Sequence, residues 1–305
     1  MQFCVIAPVS HLHLTTLGNG IHMALTHLVH QSDDYTKFYQ RMVSKNEYVI
    51  LDNSAFEMEK QGKGLDPEPV LKAAKLVGAH EVIATDVLLN GQATIDSTRT
   101  FIKEYAKMFG EELRLGKPVP KIMAVPQGNT VDEWMDCYVR LLHMSHVQVL
   151  GFSKISVPVS FGGPNARKVS GGVVQARLKL LNHLSENNLL PSQISNGRAA
   201  PCIHLLGGDD WSGHELEQVS QKYSDVRSND SSAPIWYGAQ GVKFDSFTGK
   251  ASQFIIEKPD LENTRQTTVE SIDKNIAIVL ANIAVFLKAA NKLNTVREVG
   301  TIHGY

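Results

Sequence analysis

The feature that most constrains this chain is an alternation, in which short apolar runs of strand character take turns with segments of helical period along nearly all of its length. Phe3 to Ala7, Tyr48 to Leu51, Glu81 to Val87, Lys121 to Gly128, Val147 to Ser156, Pro201 to Gly208 and Asp225 to Ser232 read as strands. Most are rich in β-branched or aromatic residues without a clean polar alternation, as expected of strands covered on both faces. A β-α-β-α order implies a parallel sheet, since parallel neighbours need a long crossover. An eighth strand is expected near Leu12 or near Phe254, and eight units would close the sheet into a (β/α)8 TIM-like barrel. The 305 residues suit one such α/β domain, 1–305, and no linker or composition shift divides it.

The helices are marked by their ends. Leu65-Asp66-Pro67-Glu68 is a helix start, because Asp accepts from N-terminal N–H groups and Pro loses nothing at the first helical position. That helix should stop at Gly78. Ile95 to Leu113 carries Phe101, Tyr105 and Met108 on one face, and Thr130-x-x-Glu133 forms a capping box that opens a helix to about Met144. Further helices are expected over Val173 to Leu184, Ser212 to Tyr223 and Ile272 to Leu293. Ile21, Leu25 and Leu28 also fall at helical spacing, so 21–30 is expected to be helical. His11, His13, His22, His27 and His30 cluster there, but no Cys or carboxylate completes a metal-ligand spacing, and they read as solvated or capping groups.

Bulk properties exclude several classes. With 43% hydrophobic and 20% charged residues the composition is that of a globular protein, and the formal net charge of -1 gives no global reason to bind a polyanion. Any nucleic acid would have to be held by a local basic patch. The start, Met1-Gln2-Phe3-Cys4, lacks the basic flank and apolar stretch of a signal peptide, so a cytoplasmic location is expected. Cys4, Cys137 and Cys202 are far apart and cannot make a four-thiolate zinc site.

Polar residues gather at the carboxyl ends of the apolar runs. Asp52 follows Tyr48-Val49-Ile50-Leu51, Asp86 follows the next run, Gln127 and Gly128 the one after, then Gly151, and finally Asp230. In a barrel these ends share one face, where ligands bind. Each residue alone reads equally as a turn or N-cap group. Together the carboxylates suit a divalent cation, an acid and nucleophile pair at a glycosidic carbon, or the donor edge of guanine.

The order Leu51-Asp52-Asn53-Ser54-Ala55-Phe56-Glu57, Thr85-Asp86, Val125-Pro126-Gln127-Gly128, Gly151, Leu206-Gly207-Gly208 and Asp230 resembles the tRNA-guanine transglycosylase (queuine tRNA-ribosyltransferase) superfamily over most of the chain. The resemblance implies that Asp230 is a nucleophile attacking C1′ of a guanine nucleotide and that Asp52 is the general acid/base. It implies that Asp86 accepts from N1–H and N2–H2 of the base, that Gln127 and the backbone near Gly151 contact O6, and that Gly128 belongs to the same substrate-binding set. Phe56 or Phe152 could stack on the ring, or be core. No cofactor or metal is implied. Two departures stand out. The cysteine cluster of the zinc insertion that grips tRNA is missing, and Asp-Asn-Ser-Ala replaces the Asp-Ser-Gly-Gly of the bacterial tRNA enzymes.

The compact chain looks more like the phage-type relatives that insert 7-deazaguanines of the preQ0 or preQ1 type into DNA. DNA and the free base are therefore the expected partners, the alternatives being tRNA as the substrate or a non-catalytic nucleic-acid-binding subunit. A homodimer or a helper protein is compatible with either. Lys154, Arg167, Lys168, Arg198 and Arg227 are the candidate phosphate contacts, each equally readable as a solvated cation. A metal-dependent barrel lyase or hydrolase is the reading from another class, resting on the carboxylates alone.

Overall fold

The computed structural model describes residues 1–55, 66–163, 165–194, 200–255 and 266–300, with backbone only for 266–268 and 292–300. Its strands are β1 (Gln2–Val5), β2 (Ile21–Leu25), β3 (Tyr48–Asp52), β4 (Glu81–Ile83), β5 (Lys121–Ala124), β6 (Val147–Ser153), β7 (Cys202–Leu206) and β8 (Val226–Ser231). All pair in parallel in the order β1-β8-β7-β6-β5-β4-β3-β2, a nearly closed eight-stranded barrel with β1 and β2 at the seam. The expected α/β barrel is therefore the fold.

The helices are α1 (Thr26–Gln31), α2 (Asp33–Ser44), α3 (Pro67–Val77), α4 (Gly91–Arg114), α5 (Val131–Leu142), α6 (Gly172–Glu186), α7 (Pro191–Ile194), α8 (Ser212–Lys222), α9 (Ala233–Ala239), α10 (Gln266–Lys274) and α11 (Ile276–Gly300). Asp66 caps α3 by accepting from Glu68 N–H at 3.0 Å, and Gly78 ends it in the left-handed region at φ 73°. Thr130 caps α5 through the Glu133 N–H at 3.2 Å. The Glu133 carboxylate does not return to Thr130. It accepts instead from Asn129 N–H at 2.9 Å and from Gly91 N–H at 2.8 Å, tying α5 to the start of α4.

Two expectations fail at the seam and at the C-terminal end. Residues 21–25 form β2 rather than the start of a helix, so the eighth strand lies neither near Leu12, which is in a 3-10 segment, nor near Phe254. Ile21 and Met23 pack inside the barrel while Ala24 packs outward, and a run buried on both faces loses the period that separates strand from helix. The last apolar segment is two helices, broken at Asn275, whose Nδ2 donates to the Ala239 carbonyl at 2.8 Å.

Inside the barrel, Cys4, Ile21, Met23, Ile50, Ile83, Met123, Val125 and Val149 form a buried apolar layer. Burying each of the larger side chains stabilises the fold by roughly 1.5–3 kcal/mol. Below it, at the amino ends of the strands, Arg227 of β8 crosses to Glu81 of β4 with paired bonds of 2.7 and 3.0 Å, and Tyr48 Oη donates to Glu81 at 2.7 Å. Above it, the carboxyl ends open on a cavity. Among the described residues no helix is long and apolar enough to cross a membrane.

Candidate active site

The cavity has a volume of about 640 Å³, and its lining includes Asp52, Asp86, Gln127, Asp209 and Asp230. Strand ends deliver these groups to one face, as the fold requires of a barrel site.

Asp230 lies near the end of β8 and is buried. Its Oδ1 accepts from His204 Nε2 at 3.0 Å and from the Gly207 N–H at 2.9 Å. Oδ2 accepts no bond from the described residues, which leaves one oxygen clamped and the other available to the cavity. Gly207 can approach so closely because it sits at φ 72°, a conformation that glycine adopts freely.

Asp52 ends β3 and does two things at once. Its Oδ2 accepts from the Ser54 N–H at 2.7 Å, the turn bond expected of Asp-Asn-Ser, and the residue still lines the cavity. The turn puts Ser54 at φ 59°, in the left-handed region that few side chains occupy, and Ser54 Oγ meets His27 Nδ1 at 2.9 Å.

Asp86 is held by amides on both sides. Asn53 Nδ2 donates to Oδ1 at 2.8 Å and Gln127 Nε2 to Oδ2 at 2.6 Å. Gln127 Oε1 in turn accepts from the Leu89 N–H at 3.1 Å, so both ends of that amide are engaged within the protein. A carboxylate offers about four acceptor positions, so two amide donors orient Asp86 without exhausting it.

Of the other residues singled out in the sequence, Lys154 and Arg167 line the cavity, and Arg167 is exposed and makes no hydrogen bond or ion pair among the described residues. Lys168 lies on the same short turn, exposed and outside the lining. Gly128 is buried against α5, where a Cβ would fall 2.5 Å from Trp134 N. It serves packing and does not reach the cavity. Gly151 faces the apolar interior, where a Cβ would meet Leu206 Cδ1 at 2.7 Å and Met123 Sδ at 2.9 Å. Phe152 points the other way, edge-on to Trp134 at 5.4 Å in the layer between sheet and helices, and cannot stack on a ligand in the cavity. Arg227 is at the opposite end of the barrel, half-buried and paired with the fully buried Glu81, and so lies away from the cavity where a phosphate contact is expected. Phe56 and Arg198 lie outside the described residues.

Sequence reasoning missed His204, Asn53 and Asp209. The signal for His204 was present, since a polar ring in the middle of Cys202-Ile203-His204-Leu205-Leu206 needs a buried partner. Asp209 lines the cavity, and Tyr237 Oη lies 3.4 Å from its Oδ1. Burial and the Asp209 charge push the Tyr237 hydroxyl well above its ordinary pKa, so it remains a donor. The Cys4 thiol is pushed up by burial and then by the Asp230 charge, and is no nucleophile. Among the described residues no group of three or more His, Cys, Asp or Glu side chains is arranged to hold a metal ion.

No protein-family model matches the chain, and no curated protein matches it significantly.

Proposed function

We propose that this chain is a base-exchange pentosyltransferase that replaces guanine in a polynucleotide by a 7-deazaguanine of the preQ0 or preQ1 type, with Asp230 as nucleophile and Asp52 as general acid/base. The observation that carries the reading is the Asp230 carboxylate, whose Oδ1 is fixed by His204 and the Gly207 N–H, whose Oδ2 accepts no bond from the described residues, and which lines a cavity together with Asp52 and Asp86. A nucleophile must be oriented before it attacks, because a near-attack geometry removes much of the entropic barrier.

In the first half-reaction Asp230 Oδ2 forms a bond to C1′ as the C1′–N9 bond breaks, and Asp52 gives a proton to the departing guanine. In the second, Asp52 takes the N9 proton of the incoming base, N9 bonds to C1′, and the C1′–O bond to Asp230 breaks. The proton lent in the first half returns in the second, and retention of configuration follows from two inversions. Asp86, oriented by Asn53 and Gln127, reads the N1–H and N2–H2 edge of both bases. Gln127 spends one Nε2 hydrogen on Asp86 and its Oε1 on the Leu89 N–H, so it orients Asp86 while its second Nε2 hydrogen is left for O6 of the base.

Ser54 adds support. It stands where the Asp-Ser-Gly-Gly of the bacterial tRNA enzymes has its first glycine, and its φ of 59° is a backbone state that glycine enters without strain.

DNA is the proposed polynucleotide, on the resemblance of the chain to the phage-type relatives that modify DNA. The target base must leave its stack, at a cost of a few kcal/mol. Arg167, which is exposed and lines the cavity, is the proposed phosphate contact.

The test is mass spectrometry of nucleosides from DNA and, in parallel, tRNA incubated with the protein and preQ0 or preQ1. Deazaguanine in DNA but not tRNA is expected, with a denaturation-resistant protein–DNA adduct that Asp230→Ala abolishes. Exchange that survives Asp230→Ala would remove the proposed nucleophile.

A further inference from the structure

Asp230 is oriented from outside itself. A neutral imidazole carries a single N–H, and its position decides whether His204 donates to Asp230 or turns a lone pair on it. That choice is made by the groups on both sides of the ring. His204 Nδ1 lies 2.7 Å from Ser228 Oγ, and both residues are fully buried. Ser228 Oγ also lies 3.0 Å from Nε of Arg227.

Arginine can only donate, so Ser228 Oγ accepts from Arg227, and because the Asp230 carboxylate on the other side of a neutral ring can only accept, the ring proton goes to Nε2 and the Ser228 hydrogen to His204 Nδ1. With Nδ1 accepting, the ring proton sits on Nε2, 3.0 Å from Asp230 Oδ1. Arg227 is itself immobilised. Its Nη atoms bind Glu81, which is completely buried, and the guanidinium lies over the Tyr48 ring at 5.3 Å. Register assists, because His204 and Ser228 are direct partners across β7 and β8, and Asp230 follows Ser228 on the same inward face.

We propose that Glu81, Arg227, Ser228 and His204 form a directional hydrogen-bond chain from the barrel floor to its catalytic end. The chain locks His204 as the Nε2–H tautomer and so positions the Asp230 carboxylate with Oδ2 toward the cavity. His204 and Ser228 are positioning residues, since neither lines the cavity. The kinetic part of this inference rests on Asp230 being the nucleophile; the tautomer does not.

The experiment pairs nitrogen NMR of the histidine-labelled full chain with exchange kinetics. His204→Gln identifies the His204 resonances by their loss among the 12 histidines. The wild-type ring is expected as the Nε2–H tautomer, and Ser228→Ala is expected to move it toward Nδ1–H or a mixture. In the exchange assay Ser228→Ala and His204→Gln should lower kcat by about tenfold and His204→Leu by about a hundredfold, the scale of one and two lost orienting interactions, with KM for the free base held within about twofold. Ser228→Thr, which keeps the hydroxyl, should restore the rate. An Nδ1–H or doubly protonated wild-type ring would overturn the chain, as would Ser228→Ala with unchanged tautomer and unchanged kcat. An Nε2–H ring in a protein that exchanges no base on either polynucleotide would sink the proposed function and leave the directional chain standing.

Discussion

Asn53 Nδ2 bridges two acceptors on the neighbouring strand end, the Asp86 carboxylate at 2.8 Å and the Ala84 carbonyl at 2.6 Å. The side chain is buried, and its Oδ1 accepts from the Ala55 N–H at 2.8 Å. One amide therefore sets both the loop after β3 and the carboxylate after β4. Asn53→Ala would leave a buried carbonyl and a carboxylate oxygen short of a donor, and should lower stability by about 1–3 kcal/mol. A shift of the urea midpoint checks this. Calorimetric titration should also show weaker binding of guanine-type bases, because Asp86 loses one of the amides that orient it.

Arg227 and Arg167 are expected to behave in opposite ways. Arg227→Met leaves Glu81 buried without its cation, and breaking such a pair costs about 3–5 kcal/mol. Thermal unfolding should fall sharply, while the salt dependence of DNA binding by the surviving folded protein stays unchanged. Arg167→Ala should leave the melting temperature alone and reduce the slope of log K against log salt by about one phosphate contact. Equal salt slopes for Arg167→Ala and wild type would remove that residue from the interface.

The barrel was legible in the sequence because its signal is repeated at every turn of the fold, and Asp66, Gly78 and Thr130 mark their helix ends by local chemistry alone. Strand ends also gave away Asp52, Asp86 and Asp230, since a polar residue after an apolar run has to emerge at one face. β2 escaped notice because burial on both sides erased its period. Arg227 misled for a different reason. It is close in sequence to Asp230, but a strand rises about 3.3 Å per residue, so three positions carry the side chain from the open end toward the floor. His204 and Ser228 act across strands, and no single-strand pattern reports a partner that only register supplies.

The two glycines tell apart a wall that can yield and one that cannot. At Gly128 an added Cβ meets main-chain atoms of Trp134, N at 2.5 Å and Cα at 2.8 Å, which α5 holds rigidly. At Gly151 it meets the tips of Leu206 and Met123, which can rotate away. Gly151→Ala should therefore cost about 1–3 kcal/mol and Gly128→Ala more than that. Thermal melts of the two variants decide the order, and a Gly128→Ala protein as stable as wild type would contradict the packing described for α5.

Glu215 of α8 is fully buried, with Oε1 2.8 Å from Nε of Arg177. Arg177 spends its other nitrogens on the carbonyls of Phe152, Leu206 and Gly207, so the pair fastens the ends of β6 and β7, including the glycine whose N–H holds Asp230. Burial outweighs the attraction of Arg177 and pushes the Glu215 carboxyl up from 4.5 to about 7. Between those two values the folded chain keeps a proton that the unfolded chain has lost. The stabilisation is thus complete below about 4.5 and is lost as pH rises through about 7, at up to roughly 1.4 kcal/mol per pH unit. Glu215→Gln fills the same space without titrating, so the difference in unfolding free energy between wild type and variant should drift in the variant's favour from pH 5 to pH 7 and level off above. Urea unfolding of both proteins across that range measures it, and parallel curves would mean that Glu215 stays ionised throughout beside Arg177.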